Sequence, residues 1–472
     1  MNTKLLRQTI LDRAIRGLLV PQDPTDEPAS VLLERIRTEK EELIKDKKLK
    51  REKRDNQPIE EVPFEIPKGW VWCRLGEICE INPKNKLDDE LEVAFIPMPF
   101  ISDGFSNIHT FEVEKWKNIK KGYTHFQNGD IGVAKITPCF ENRKSLIFNN
   151  LKNGVGAGTT ELYILRNNKT ISFNKYFFWV VKTQEFINKG IESFTGAVGQ
   201  QRVSKDFIQN TLIPLPPLAE QHRIVQKIEQ LFALIDIIEV NKKALEKLIE
   251  QAKNQVLSDA IAGKLTRQDP NDEPAEELLK RMGKTTAPDT PYEKMLPKGW
   301  AWCKLGDIGI INPKNKLNDE LEVSFIPMSL ISEGFSNAHT SEVKKWKNIK
   351  KGYTHFCNED IGIAKITPCF ENRKSVIFNN LKNGVGAGTT ELYILRNNKT
   401  LSFNKYIFCF VKTQEFINNG IKGFTGAVGQ QRISGHFIEN TLIPLPPLKE
   451  QPRIVQKIES YFSFFDMIEN NL

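Results

Sequence analysis

At 472 residues and 54.1 kDa, the chain exceeds what one hydrophobic core organises and is sized for two to four domains. Its 39 % hydrophobic and 27 % charged residues are those of a globular protein, and no apolar run approaches the roughly 18 residues of a membrane helix. Seven cysteines, none in a Cys-x-x-Cys pair, argue against a disulfide framework or a zinc ribbon, and a net charge of +8 permits nucleic-acid binding without requiring it.

In chain order, residues 1–62 form a repeated helix and a charged connector. The first residues have the look of an arginine-bearing amphipathic targeting segment, but Asp12, and the return of the pattern inside the chain, assign them to the fold. Ile10 to Ala29 comes back as Val256 to Ala275, a shift of 246. The first connector carries a surplus of 16 residues around Lys40 to Asn56, expected to be an exposed helical extension.

Residues 63–217 form the first globular unit. Val93–Ile96, Ile131–Ala134 and Glu161–Leu165 are short apolar runs between turn residues and predict strands. Phe173–Asn188 predicts one helix packed on the sheet, and Trp70, Trp72, Trp300 and Trp302 belong to the core. The stretch Pro67–Pro217 returns as Pro297–Pro447, a shift of 230 with roughly four residues in five identical. Each copy is a domain, far longer than a solenoid repeat.

Residues 218–262 predict a central spacer helix. Ile224, Ile228, Leu231, Ile235, Ile238, Leu245, Ile249, Ala252 and Val256 follow heptad steps, with Lys242 at the skipped position. About 44 residues at 1.5 Å each make a rod of roughly 65 Å. A connector (263–295), the second globular unit (296–447) and a C-terminal repeated helix (448–472) follow. There Ile454, Ile458, Tyr461, Phe465 and Ile468 repeat the first half of the seam, and Leu6 and Ile10 match Ala252 and Val256 of its second half. Leu472 aligns with Lys242 and Met1 with Lys247, so the repeat reads as a two-fold ring opened inside one long helix. The expected fold is α+β: two similar globular α/β domains separated by a pair of long antiparallel coiled-coil helices, pseudo-two-fold and circularly arranged, with neighbouring termini.

Three segments have the chemistry of nucleic-acid contacts. Lys115–Tyr123 interleaves cations with aromatics, which suits phosphates and stacking, or is a solvated basic loop. Ala134–Lys144 ends a strand in a polar loop bearing Lys135, Thr137, Asn142, Arg143 and Lys144; Arg143 suits guanine and Asn142 adenine. Thr195–Arg202 presents Gln200, Gln201 and Arg202 on flexible glycines. The second copies are Lys365, Thr367, Asn372, Arg373 and Lys374, with Gln430, Gln431 and Arg432. A structural turn is the competing account of the last two segments.

Catalytic readings fare worse. Gly154–Thr160 lacks the lysine of a phosphate loop and is expected to be a turn, and Gly283–Thr286 has Leu278 where the first glycine is needed. His355 with Cys357 is an isolated pair that the first copy lacks, and no Asn-Pro-Pro-aromatic tetrapeptide of an amino-group methyltransferase occurs. The chain reads as a binder, with no catalytic and no metal-ligating residues.

The layout resembles the specificity subunit of type I restriction-modification enzymes. The resemblance spans essentially the whole chain and rests on Ala134–Asn142, on Leu215–Gln221 followed by Arg223-Ile224-Val225, and on Val20–Asp23 with Asp26–Ala29. In the second copy Pro452 replaces His222, and Arg143 and Arg373 stand where many relatives have glycine, a departure that bears on DNA contact by those loops. The resemblance implies a non-catalytic, cytoplasmic protein that holds no cofactor, reads a bipartite double-stranded DNA target with one domain per half-site, and docks two methyltransferase subunits. Those bring S-adenosylmethionine and methylate adenine, and restriction subunits using ATP and Mg2+ can join them. Because the two readers are nearly the same and a dyad reverses one of them, the target is expected to be inverted-repeat-like. The alternatives are a stand-alone DNA-binding scaffold and a DNA-modifying enzyme with unrecognised catalytic residues.

Overall fold

The computed structural model describes residues 2–46, 59, 61–167, 173–197, 199–284, 296–427 and 429–472. They fall into two compact units, Met1–Asn241 and Lys242–Leu472. Of the expected extension over Lys40–Asn56, only the part up to Asp46 lies within the described residues, at the end of helix α2; Thr285 and Thr286 of the Gly283–Thr286 motif lie outside them.

The first unit opens with α1 (Thr3–Ile15) and α2 (Ala29–Lys45). Its strands are β1 (Val71–Arg74), β2 (Cys79–Ile81), β3 (Glu92–Ile96), β4 (Glu112–Lys115), β5 (Thr124–Gln127), β6 (Ile131–Ala134), β7 (Ser145–Ile147), β8 (Val155–Gly158), β9 (Leu162–Asn167) and β10 (Leu212–Leu215). One-turn helices α3 (Leu75–Ile78) and α4 (Trp116–Ile119) lie between strands. β1 and β10 pair alone, and the rest form two four-stranded sheets, β2-β9-β6-β7 and β4-β3-β8-β5. All pairings are antiparallel except β3 with β8.

Period-two alternation sorts the strand residues into layers. Leu162 and Ile164 of β9 face the other sheet, where they share a core with Ala94, Ile96 and Phe126. Phe126 and Phe148 stack across that core, 3.8 Å between centroids. Tyr163 and Leu165 point the opposite way, into a helical layer that includes Tyr176, Phe177 and Ile224.

Two segments differ from their expected form. Gly154–Thr160 is no turn, since Val155–Gly158 is the interior strand β8. Its glycines allow close approach: a Cβ on Gly158 would lie 2.1 Å from the carbonyl oxygen of Ile96, and one on Gly156 2.5 Å from that of Ala94. The helix expected over Phe173–Asn188 is two helices, α5 (Asn174–Val180) and α6 (Gln184–Glu192). Thr183 divides them by capping α6, its hydroxyl accepting from the Phe186 amide at 3.3 Å, which satisfies an otherwise orphaned donor. Helix α7 (Lys205–Asn210) leads into β10, and α8 (Leu218–Ile261) follows.

The second unit repeats the three sheets with every strand shifted by 230, from Ala301–Lys304 paired with Leu442–Leu445 onward.

Helix α8 has 44 residues, and the division between the units falls within it, after Asn241. In the first unit its early turns run antiparallel to α1. Arg7 near the start of α1 bonds Asp236 at 2.7 Å, while Gln22, beyond the end of α1, bonds Glu220 at 3.1 Å. In the second unit its late turns run antiparallel to the C-terminal helix (Glu450–Asn470) in the same register. Lys253 bonds Asp466 at 2.8 Å, and Gln268 bonds Glu450 at 3.4 Å. Helix α1 and the late half of α8 therefore play the same part, as the two offsets required. Of the expected seam, Ile224, Ile228, Ile235 and Ile249 are buried and Ile238 is exposed. Val225, Phe232 and Leu257, outside the heptad positions, are buried as well. The helix packs on its globular units in addition to its helical neighbours, and that widens its buried face beyond a two-position stripe.

Candidate nucleic-acid interface

Beyond Ala134 the chain of β6 stays extended, and it draws two of the predicted segments together. The Lys135 amide donates to the Glu161 carbonyl at 3.0 Å, the Val203 amide to the Lys135 carbonyl at 2.9 Å, and the Thr137 amide to the Gln201 carbonyl at 3.0 Å. Thr195 and Arg202 exchange backbone bonds of 3.0 and 2.9 Å, closing a hairpin. Gly196 and Gly199 take φ of +106° and +87° at its tip, a conformation that glycine adopts without steric cost. Gln200 is exposed and Gln201 half-buried.

Arg202 is not a free reader. Its guanidinium grips the Glu161 carboxylate with bonds of 3.0 and 2.9 Å and reaches the Gln200 carbonyl at 3.1 Å. That pairing holds Glu161 below the usual carboxylate range and ties the hairpin tip to the end of β9. Arg432 repeats the grip on Glu391 at 2.9 and 3.1 Å.

Arg143 departs further from expectation. It has φ of +55° and is buried at 5 % exposure. Its Nε donates to the Lys182 carbonyl at 3.0 Å, its guanidinium bonds the Gln184 side chain, and it lies over the Phe105 ring. Lys182 is buried beside it and donates from Nζ to the carbonyls of Gly104 at 2.6 Å and Arg143 at 2.9 Å. Burial, with the Arg143 charge added, holds the Lys182 ammonium down at about 7. Arg373 repeats the arrangement on the Lys412 carbonyl and Gln414, and also donates to Asn254 of α8 at 2.8 Å. Both arginines are buried and brace their loops from inside.

The remaining positions divide. Asn142 is exposed, and Lys135 is half-buried with its ammonium 5.3 Å from the Tyr163 ring centre. Lys365 sits likewise over Tyr393, and Asn372 is exposed. Lys144 leans inward, 3.2 Å from the Met98 carbonyl and 3.6 Å from Asp103; Lys374 does the same towards Met328 and Glu333. Thr137 Oγ1 is buried without a partner, whereas Thr367 Oγ1 accepts from the Gln431 amide at 3.2 Å. Gln430 is exposed and Gln431 half-buried, as in the first copy.

The basic-aromatic segment Lys115–Tyr123 proves to be a clasp. Lys115 and Lys117 share Glu90 at 2.8 and 2.7 Å, and Lys120 holds Asp89 at 2.6 Å. Those bonds pull Glu90 down to about 2. Trp116 is buried against His125, and Tyr123 stands edge-on to Phe95. His355 is likewise structural, its ring bridging the Asn315 amide and the Lys350 carbonyl. Among the described residues no group of three or more His, Cys, Asp or Glu is placed to hold a metal, and no helix is long and apolar enough to cross a membrane.

Glu161, Lys182 and Gln184 organise this surface and escaped the sequence reading. The polar run Lys182-Thr183-Gln184, interrupting an apolar stretch, was the available sign.

A duplicated α+β domain, each copy packed on a share of one long helix, is the class that this fold defines. The family model of the type I restriction modification DNA specificity domain matches residues 67–247 and 297–472, and the chain belongs to that family. It is 38 % identical to the specificity subunit of the type I restriction enzyme EcoAI of Escherichia coli, over 97 % of this chain and 88 % of that one. With the EcoEI specificity subunit of Escherichia coli it shares 34 % identity over 99 % and 90 % of the two chains. In fold it is similar to the HsdS subunit of Thermoanaerobacter tengcongensis, with TM-score 0.56 and 18 % identity over 87 % of this chain and 93 % of that one. A chain from a structural study of complex assembly and conformational transition in the type I R-M system matches at TM-score 0.60 and 18 % identity, covering 87 % and 94 %. As a specificity subunit, the protein is a non-catalytic component of a type I restriction-modification system.

Proposed function

We propose that the chain reads a bipartite, inverted-repeat-like DNA target. Each unit contacts one half-site through its hairpin tip (Gln200 and Gln201; Gln430 and Gln431) and the adjoining loop (Lys135, Thr137 and Asn142; Lys365, Thr367 and Asn372). Lys144 and Lys374 add positive charge behind that surface, and Arg143, Arg202, Arg373 and Arg432 hold it in shape. The observation that carries this reading is identity: Ala134–Lys144 equals Ala364–Lys374, and Thr195–Arg202 equals Thr425–Arg432, residue for residue. Substitutions fall elsewhere, as at Phe111/Ser341, Lys205/Gly435 and Asp206/His436. Equal reading surfaces recognise equal words, and a dyad reverses one of them. Two methyltransferase subunits dock on the chain and supply S-adenosylmethionine for adenine methylation; restriction subunits supply ATP- and Mg2+-dependent steps. The complex works in the cytoplasm.

Methylome sequencing of a host carrying the chain with its methyltransferase partner tests this. The expected motif is a half-site, a fixed gap and the reverse complement of the half-site. Two unrelated half-sites defeat the symmetric reading. Methylation or cleavage by the purified chain alone would favour an enzyme, and failure to co-purify with a methyltransferase subunit would favour a stand-alone scaffold.

A further inference from the structure

Trp179 and Cys409 occupy equivalent positions, 230 residues apart. In the first unit the Trp179 indole is buried edge-on to Phe232 of α8, with centroids 5.0 Å apart, and Phe232 is edge-on to Phe105 at 5.7 Å. In the second unit Phe462 and Phe335 keep the latter contact at 5.5 Å, but a thiol stands where the indole would be. The neighbouring exchange of Val180 for Phe410 does not refill the space, because Phe410 packs on Phe416 at 5.6 Å.

An open cleft of about 600 Å³ lies there; Phe335, Phe408, Ile458 and Phe462 form an apolar wall beside Cys409, and Lys405, Glu459 and Asp466 line its outer part. Its aromatic and aliphatic walls match those of the first unit, with Phe105, Phe178, Ile228 and Phe232 at the equivalent positions. Its rim is more polar: Ser463 and Asn470 line it where the first unit has Ala233 and Val240. A planar ring placed as Trp179 is placed meets the same edge-to-face partners, at separations that favour aromatic pairs.

We propose that the second unit carries a binding site for one planar aromatic molecule of about indole size, seated between Phe408 and Phe462, with Ser463 and Asn470 as acceptors for a ring N–H. The bound ring packs the globular part of that unit against its C-terminal helix, as the Trp179 side chain packs against Phe232 of α8 in the first.

Calorimetric titration of the full chain with indole tests this. One saturable site with a Kd on the order of 0.1–1 mM is expected, the range for a ligand of so few atoms. Cys409→Trp, which puts an indole in the place proposed for the ligand, should weaken binding at least tenfold; Cys409→Met should also weaken it, and serves if the tryptophan variant does not fold. Hexanol, apolar but not planar, should bind at least tenfold more weakly than indole. No saturable binding, undiminished binding in the filled variants, or equal affinity for hexanol would each overturn the assignment.

Discussion

Arg7 and Asp236 are 229 positions apart in the chain and 2.7 Å apart in space. Lys253 meets Asp466 at 2.8 Å in the second unit. One pair joins α1 to α8, the other joins α8 to the C-terminal helix, so a single interaction is made by segments supplied in different order.

Arg7 is nearly buried, with its guanidinium 4.9 Å from the centre of the Phe232 ring. Arg7→Ala should therefore cost about 1–2 kcal/mol in denaturant unfolding, more than the fraction of a kcal/mol typical of an exposed pair, because ring contact and stem packing go with the charge. Arg7→Lys should cost no more than about 0.5 kcal/mol, since Lys253 already performs the same task on two carboxylates.

The hairpin tip and the brace beneath it should separate under mutation. Gln201→Ala combined with Gln431→Ala should leave unfolding unchanged and weaken specific DNA binding by about 1–3 kcal/mol per half-site, as for loss of a base-edge contact. Arg143→Ala should instead destabilise the first unit by about 1–3 kcal/mol, because it strands the buried Lys182 carbonyl that the guanidinium satisfies. Equilibrium unfolding beside salt-controlled DNA titrations distinguishes the two.

Lys182 makes the stability depend on pH. Burial, then the Arg143 charge, lowers it from an ordinary 10.5 to about 7. Between those values the unfolded chain holds a proton that the folded chain has released, so stability rises with pH across that window. Wild type should gain on Lys182→Met by up to about 1.4 kcal/mol per pH unit on going from pH 7 to pH 9. A difference that stays flat or falls in paired unfolding curves would show that Lys182 remains charged among its carbonyl acceptors.

Much of the architecture was legible because it is written in local pattern. The unbroken apolar run Leu162-Tyr163-Ile164-Leu165 specifies a strand buried on both faces, and the prolines before Leu218 mark where α8 begins. The break at Thr183 was less visible, since the polar run Lys182-Thr183-Gln184 is also what the outer face of one continuous helix would show, and only the cap divides it. The Gly154–Thr160 strand looked like a turn because its glycines answer to the carbonyls of Ala94 and Ile96 and the ring of Phe126, all distant in the chain.

The sequence alone determined the duplication, its two offsets and the sharing of one long helix between the units, since these are relations among letters and periodicities. Tertiary structure decided which cations face outward. Arg143 turns inward because Lys182, 39 residues away, offers a carbonyl, and Arg202 is held by Glu161, 41 residues away. Nothing in the immediate sequence of either arginine encodes the partner that satisfies it. A guanidinium goes where its donors are met, and folding brings those acceptors into reach.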